Sequence, residues 1–425
     1  MGIFKPHARH YGSFNESKLS TMAGKLFVTL DDINLAGKRV LVRVDFNVPM
    51  HNGEIADDSR IKASLPTINK ILNAEGIVIL MSHMGQPNEG QFEPGLSLQP
   101  LASHLSELLG KEVEFCTDWL DNKDFPAQQK IILLENVRFL HGEKSNDDKL
   151  ARKMARLCDV YVNDAFSAAH RIQASTHGVA KYSPVACAGL LLVDEMEALT
   201  KAFKQPAKPM TAIVGGSKVS TKLGVIESLL DKVDNLIVGG GIANTFIKAA
   251  GYNVGKSLVE NDLVDQAAKL MKISADNGKS IALPIDVICG KAFVEDAVGT
   301  TKTIGSVMDD DLIMDIGPET AKLYSELLNE TATIIWNGPL GVFEFEEFSN
   351  GTKVISNAIA DSQAFSVAGG GDTLSAISKY HVADRISYIT TAGGAFLEFL
   401  EGKTLPAIDI LEECALAWRA TEREY

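Results

Sequence analysis

Val40-Leu41-Val42-Arg43-Val44 is an apolar run that stops abruptly at Asp45-Phe46-Asn47, and the rest of the chain repeats that pattern. Ile77–Met81 breaks into Ser82-His83-Met84-Gly85, Ile131–Leu134 into Glu135-Asn136-Val137-Arg138, and Asp159–Val162 into Asn163-Asp164-Ala165-Phe166. Beyond Met210 the runs are Thr211–Val214, Asn235–Val238, Ser280–Leu283, Thr333–Trp336, Phe365–Ala368 and Ile386–Ile389. These break mostly into glycine: Gly215-Gly216-Ser217-Lys218, Gly239-Gly240-Gly241, Asn337-Gly338-Pro339, Gly369-Gly370-Gly371-Asp372 and Gly393-Gly394. Apolar runs this short, separated by helix-length amphipathic stretches, are the pattern of buried parallel strands in βαβ units. The expected fold class is α/β: two Rossmann-like three-layer α/β/α domains with parallel sheets, joined by a helix. Ligands of open α/β sheets bind just outside the carboxyl ends of the strands. Two sites are therefore expected, one lined by Arg, His, Asp and Asn, the other made of glycine loops that bring backbone N–H groups to an anion. Two ligands on two halves suggest a transfer enzyme.

Length supports two domains, because 425 residues exceed the size at which one core stops growing. A net charge of −14 excludes nucleic acid and anionic membrane as expected partners. It also sharpens the first site: an acidic chain that gathers Arg60, His83, Arg138, His170 and Arg171 at loops is equipped for a small anion. The five cysteines are scattered and lack CxxC spacing, which argues against a disulfide framework or zinc site and for a reducing compartment. No run approaches the roughly 18 apolar residues of a membrane span. The stretch through Thr21 is polar and lacks the apolar segment of a secretory signal. Pro6 stands where a myristoylation motif needs Ser or Thr, and Pro6 and Gly12 interrupt any amphipathic transit helix. A cytoplasmic protein is expected, with residues 1–24 a disordered extension and Met22 a candidate start.

Along the chain, an Asn52-Gly53 turn precedes a helix over Ile61–Ala74. Ser97–Leu109 forms a second helix closed by Gly110, where the left-handed conformation suits glycine. A third spans Asp148–Leu157. Residues 25–189 form the expected N-terminal domain, 190–208 a linker and 209–406 the C-terminal domain. The linker contains a helix over Leu190–Phe203, ended by Lys204-Gln205-Pro206 and Lys208-Pro209.

Asp45 and Asn47 lie one strand period apart, so both side chains face the same way and can fix hydroxyl groups of a substrate. The alternative is that they only shape the turn. His83 can donate to phosphate or carboxylate, or be a turn histidine with a satisfied ring. Arg60 and Arg138 taken singly would be surface arginines; their convergence with His170-Arg171 on one rim gives them weight. Gly215–Lys222 lacks P-loop spacing but shares its physics, with glycines opening the backbone at a helix start and Lys218 and Lys222 one turn apart. Solvated lysines are the alternative. Gly371-Asp372-Thr373 opens a helix over Thr373–Lys379, supplying an N-cap and a carboxylate for Mg²⁺. Gly239-Gly240-Gly241 and Gly393-Gly394 alone could be close-packing turns. The absence of G-x-G-x-x-G removes the alternative of a dehydrogenase, and the absence of a secretory signal that of a two-lobed, nucleotide-dependent binding protein.

In this order, the segments RVDFNVP, SRIKA, SHMGQP, LLENVRF, VNDAFSAAHR, GGSKVSTK, GGGIANTF, WNGPLGVFE and AGGGDT resemble the phosphoglycerate kinase family, from Lys25 to Pro406. The resemblance implies reversible phosphoryl transfer from 1,3-bisphosphoglycerate to ADP, giving 3-phosphoglycerate and ATP, with Mg²⁺. By motif, it implies that Asp45, Phe46, Asn47, Arg60, His83, Met84, Gly85, Gln86, Arg138, His170 and Arg171 bind phosphoglycerate. It assigns the nucleotide to Gly215, Lys218, Lys222, Gly239, Asn337, Pro339, Glu344, Gly370, Gly371, Asp372 and Thr373, and the metal to Asp372. Arg60, Lys218, Gly371 and Gly394 would act on the transferring group. It further implies a monomer, domain closure about Leu190–Phe203, and a last helix near Ile408–Trp418 that joins segment 407–425 to the N-terminal domain. Two departures stand out. Gln86 occupies a position where the family often has Arg, and Ala392-Gly393-Gly394 replaces a glycine triplet, which suits alanine only if φ is negative there.

Overall fold

Arg39–Arg43 is hydrogen-bonded along both edges, Val40 pairing with Val78 on one side and Val160 on the other, both in parallel. A strand in that position has no edge for solvent, and its Val40, Leu41 and Val42 are fully buried. The structure, a computed structural model, describes residues 26–51, 53–120 and 130–422. The expected N-terminal extension and Asn52 of the Asn52-Gly53 turn lie outside these. The chain folds as two compact units. Of the described residues, the first holds those through Ala165, Arg171–Glu197 and Pro406–Glu422; the second holds Phe166–His170 and Ala198–Leu405.

The first unit is built on a six-stranded parallel sheet in the order Glu114–Cys116, Ile131–Leu134, Ile77–Met81, Arg39–Arg43, Val160–Asn163, Ala186–Ala188. The two edge strands are three residues long, too short to register as apolar runs, so the sequence pattern did not announce them. Helices Ser59–Asn73, Gln99–Leu109 and Asp148–Ala155 begin and end within two residues of their expected bounds. Asp147 caps the last of these by accepting from the Leu150 N–H at 2.8 Å. Pro406–Glu422 belongs to this unit, with Ala415 in its core and Arg419 donating to the Phe27 carbonyl at 2.9 Å.

The second unit repeats the plan, ordered Ser280–Ala282, Asn235–Gly239, Met210–Gly216, Thr333–Asn337, Phe365–Ala368, Tyr388–Ile389, again all parallel. It also carries a three-stranded antiparallel sheet that the apolar-run pattern missed. There Asp286–Gly290 pairs with Thr300–Thr303 and Leu312–Ile316. Thr300–Thr303 is an edge strand of polar residues, mostly exposed, and leaves no hydrophobic signature.

The division between units falls inside one unbroken helix, Leu190–Phe203. At its start, Asp164 Oδ1 accepts from the N–H groups of Leu191 (2.9 Å) and Leu192 (3.3 Å), and Thr67 accepts from Leu190 at 2.9 Å. Those partners belong to the first unit. At its end, Phe203 packs edge-on against Phe399 of the second, ring centroids 5.5 Å apart. Among the described residues, no helix is long and apolar enough to cross a membrane.

Gly110 closes Gln99–Leu109 at φ +61° with nothing within 4 Å of where a Cβ would stand. Gly110→Ala therefore isolates the backbone penalty, and urea unfolding should register a loss of about 1 kcal/mol. Gly110→Asn should recover part of it, because asparagine tolerates the left-handed region. Equal stability of all three would contradict this account of the helix end.

Candidate functional site

The polar turns at the carboxyl ends of the first sheet are tied to one another before any ligand arrives. Asp45 Oδ2 accepts from the Arg60 guanidinium at 2.7 Å, and the same nitrogen reaches the Asn47 carbonyl at 3.2 Å. Asp45 Oδ1 accepts from the Asn47 N–H at 3.1 Å, and Asn47 Oδ1 accepts from the Gly85 N–H at 2.9 Å. The Asp/Asn pair thus does shape its turn, while also setting Arg60 and linking two loops. Phe46 and Met84 turn both side chains into the hydrophobic core, 0% and 3% exposed. Only their main chains meet the polar turns, the Phe46 N–H donating to Ser82 Oγ and the Met84 carbonyl accepting from Asn136. Gln86 is exposed.

Arg138 is buried, unlike the surface arginine its isolated position would suggest. Burial first, then the charges of Arg171 and Arg43, lower its pKa to about 10, so it stays cationic at neutral pH. It donates to the Gly85 carbonyl, while its Nε has no partner. A buried guanidinium with a spare donor is costly unless a ligand completes it. Burial, followed by the charges of Arg43, Arg138, Arg171 and Arg60, pushes His83 well below the usual imidazole range. Four guanidinium groups thus act on one neutral ring.

Arg43, Glu143 and Ser175 were not expected here. Arg43 is fully buried and donates through Nε to Ser175 Oγ at 3.0 Å; Ser175 in turn bonds the buried Glu143. The available signal was an arginine inside an otherwise apolar strand. His170 groups with the second unit, where a Cβ on Gly394 would stand 3.2 Å from its ring, while Arg171 groups with the first.

In the second unit, the ends of Met210–Gly216 and Thr333–Asn337 approach so closely that side chains are excluded between them. A Cβ on Gly215 would lie 1.8 Å from the Pro339 carbonyl oxygen, and one on Gly239 2.7 Å from that same atom. Lys222 spans the gap, donating to the carbonyls of Gly215 (2.6 Å) and Asn337 (3.1 Å). Burial lowers its pKa to about 8, opposed by Asp372. Asn337 donates to the Gly369 carbonyl at 2.7 Å and leaves its buried Oδ1 without a partner. Thr373 is buried and accepts from the Gly338 N–H at 2.7 Å.

Around these ends lies a pocket of about 520 Å³. Its wall combines Gly216, Ser217, Gly240, Gly241 and Pro339 with Lys256, Glu344 and Asp372. Leu258, Leu312, Met314 and Val342 add an apolar side. These apolar residues escaped sequence reasoning because none sits in a glycine or charge motif; two lie on the unexpected antiparallel strand Leu312–Ile316.

Two local expectations are corrected. Lys218 and Lys222 do not share an α-helical face: Lys218 is extended (φ −133°, ψ 129°) and Lys222 is not helical either (φ −129°, ψ 10°); they flank a short 3-10 turn, and the α-helix starts at Leu223. Val219 being buried forces that turn inward, leaving Lys218 exposed and Lys222 half-buried. The helix expected at Thr373 starts at Gly371, with Gly370 at φ +102° as its cap, so Asp372 and Thr373 sit in the first turn. A cap at φ +102° suits glycine, and Thr373 is occupied with Gly338. Ala392 is not among the positive-φ residues, so alanine is unstrained there.

A hard cation taking one carboxylate plus phosphate and water oxygens fits the pocket through Asp372. Among the described residues no group of three or more His, Cys, Asp or Glu could hold a metal alone.

With the expected nucleotide at this pocket, Gly215→Ala should abolish its binding in calorimetry; it should also lower stability by roughly 1–3 kcal/mol, because the added Cβ meets a main-chain carbonyl and no rotamer relieves it. Retained affinity would mean that the strand ends need not be so close.

The family model for phosphoglycerate kinase matches residues 30–403. Phosphoglycerate kinase of Francisella tularensis subsp. tularensis is 57% identical over 390 residues, covering 92% of this chain and 99% of that protein. That of Francisella philomiragia is 57% identical over 389 residues, with the same coverage. The structure of phosphoglycerate kinase from Coxiella burnetii superposes with a TM-score of 0.88 at 52% identity, over 92% of this chain and 100% of that one. The enzyme from Pyrococcus horikoshii OT3 gives 0.77 at 34% identity, over 91% and 98%.

Proposed function

The chain belongs to the phosphoglycerate kinase family and transfers a phosphoryl group reversibly between 1,3-bisphosphoglycerate and ADP, and we propose how its residues divide that task. Phosphoglycerate binds at the first unit's cationic rim through Arg60, Arg138, Arg171, His83 and Asn47, with Gln86 beside it; we assign His170 to the same ligand. The nucleotide binds in the second unit's pocket, against Gly215, Gly239, Pro339, Glu344 and the turn Gly370–Thr373, with Lys218 reaching its phosphates. The observation that carries the first assignment is the concentration of Arg43, Arg60, Arg138 and Arg171 around His83 in an acidic protein. The family supplies the substrate's identity; the rim supplies a reason for it.

The acceptor oxygen is anionic in either direction, a carboxylate one way and a nucleotide phosphate the other. No general base is required. The protein must align donor and acceptor and cancel charge on the transferring group. Arg60 is pre-set for this by Asp45, and exposed Lys218 has an unencumbered ammonium reach. Gly371 and Gly394 would offer main-chain N–H groups without a side chain in the way. Mg²⁺, held through Asp372, would neutralise nucleotide phosphate charge when bound. Transfer needs both ligands within bonding distance, so we propose closure hinging on Leu190–Phe203 in a monomeric, cytoplasmic enzyme.

Arg60→Ala should lower kcat by roughly 10³-fold or more, the scale of a guanidinium that meets charge mainly in the transition state. Mg-ADP affinity, measured by calorimetry without phosphoglycerate, should not change. Arg60→Lys should recover only part of the rate, lacking the planar fork. If ADP affinity fell in step with kcat, Arg60 would be a nucleotide ligand instead.

Gln86→Arg should tighten 3-phosphoglycerate binding and steepen its salt dependence, since a charge-assisted bond would replace a neutral one. An unchanged Kd at low salt would place Gln86 outside the binding shell.

A further inference from the structure

We propose that Arg43 is a positioning residue that never touches substrate: it fixes His83 as the neutral tautomer with its proton on Nε2, through a buried chain running Glu143–Ser175–Arg43–His83. This rests on the placement of phosphoglycerate at the first rim, and extends it to a residue beneath that rim.

Donor and acceptor roles along the chain are forced. A guanidinium only donates. Arg43 Nη2 lies 3.1 Å from His83 Nδ1, so Nδ1 must accept there and carry no proton. Arg43 Nε lies 3.0 Å from Ser175 Oγ, so the serine also accepts, and its one proton goes to Glu143 Oε1 at 2.5 Å. Glu143 Oε2 accepts from the Ser175 N–H at 3.0 Å; burial pushes this carboxyl up, and the charge of Arg43 and the two Ser175 bonds oppose that push in favour of the anion. The remaining Arg43 terminal nitrogen donates to the Val44 carbonyl. Tyr161 closes the far side by donating to the Ser175 carbonyl at 3.0 Å. Each of the three Arg43 nitrogens therefore has a partner inside the protein, and the side chain is fully buried.

The ring's surroundings allow no other state. Arg43, Arg60, Arg138 and Arg171 all oppose a charge on His83. Asp45, the facing carboxylate, stands 3.9 Å from Nδ1, beyond hydrogen-bond distance, and is engaged with Arg60. A neutral imidazole with Nδ1 occupied keeps one donor, Nε2–H, for an anionic oxygen. A rim histidine that could flip tautomer would offer a lone pair to that oxygen part of the time; Arg43 removes the option. The buried cation and anion, joined through a serine rather than in direct contact, serve orientation.

The test uses the full chain, uniformly labelled with ¹⁵N-histidine and free of ligand, so it does not depend on catalysis. The expected spectrum has His83 Nδ1 as an unprotonated, hydrogen-bonded nitrogen and Nε2 protonated, with no titration across the range where free imidazole changes charge, about pH 6.5. A protonated Nδ1, or ordinary titration, overturns the proposal. In Arg43→Met, the Nδ1 signal should shift to that of exchanging tautomers, and KM for 3-phosphoglycerate should rise by roughly tenfold or more with a smaller change in kcat, the scale of one hydrogen bond to a charged group. A folded Arg43→Met with wild-type tautomer signals overturns it as well. Because Arg43→Met strands Glu143, the double variant Arg43→Met with Glu143→Gln provides a folded background for the same spectrum. Should the tautomer prove as stated while 3-phosphoglycerate causes no shift at His83, the placement of the ligand fails and the positioning of the ring stands.

Discussion

The parallel ladder through Arg39–Arg43 is bonded on both edges, and Val40–Arg43 are fully buried, so ligands meet this strand only past its end. Much of the first unit follows from this. Polar groups that a ligand must touch are displaced to the turns beyond Val44, Met81, Leu134 and Asn163. There they bind each other: Asp45 to Arg60, Asn47 to Gly85, Arg138 to the Gly85 carbonyl. Arg43 is the exception, a cation inside the ladder, and its burial is what demands Ser175 and Glu143 beneath the rim. Desolvation thus converts one strand residue into a network that crosses three segments of chain.

A different constraint governs the second unit. There the close approach of two strand ends leaves space only for main chain, so glycine at Gly215 and Gly239 is a steric requirement. The gap is then held by Lys222, whose ammonium replaces water on the Gly215 and Asn337 carbonyls. A lysine committed to carbonyls is poorly placed to follow a moving phosphate, which leaves that task to Lys218 in the proposed mechanism. The two lysines look alike in sequence and differ because one backbone turn draws Lys222 inward and leaves Lys218 exposed.

The parallel sheets, the two halves and the continuous Leu190–Phe203 helix were legible, because strand burial and helical periodicity are local properties of composition. Gly110 announced its left-handed φ for the same reason. Thr300–Thr303 was invisible, since an exposed polar edge strand has no hydrophobic signature. Helical spacing misled at Lys218 and Lys222, because the buried Val219 overrides the repeat. Phe46 and Met84 were placed by motif at the rim, yet motif membership does not say which way a side chain turns; their apolar bulk sends them to the core.

Sequence by itself determined the fold class, the family and the two rims, since each depends on short-range order: apolar runs, glycine clusters and an ordered set of motifs. Only the tertiary structure decided which charges are buried, which donors remain open and which residues serve others. Arg138 became a half-satisfied buried cation, His83 a neutral ring and Arg43 its support. Those outcomes depend on groups as far apart in sequence as Arg43 and Ser175. Desolvation and charge repulsion act through space, so chain order does not record them.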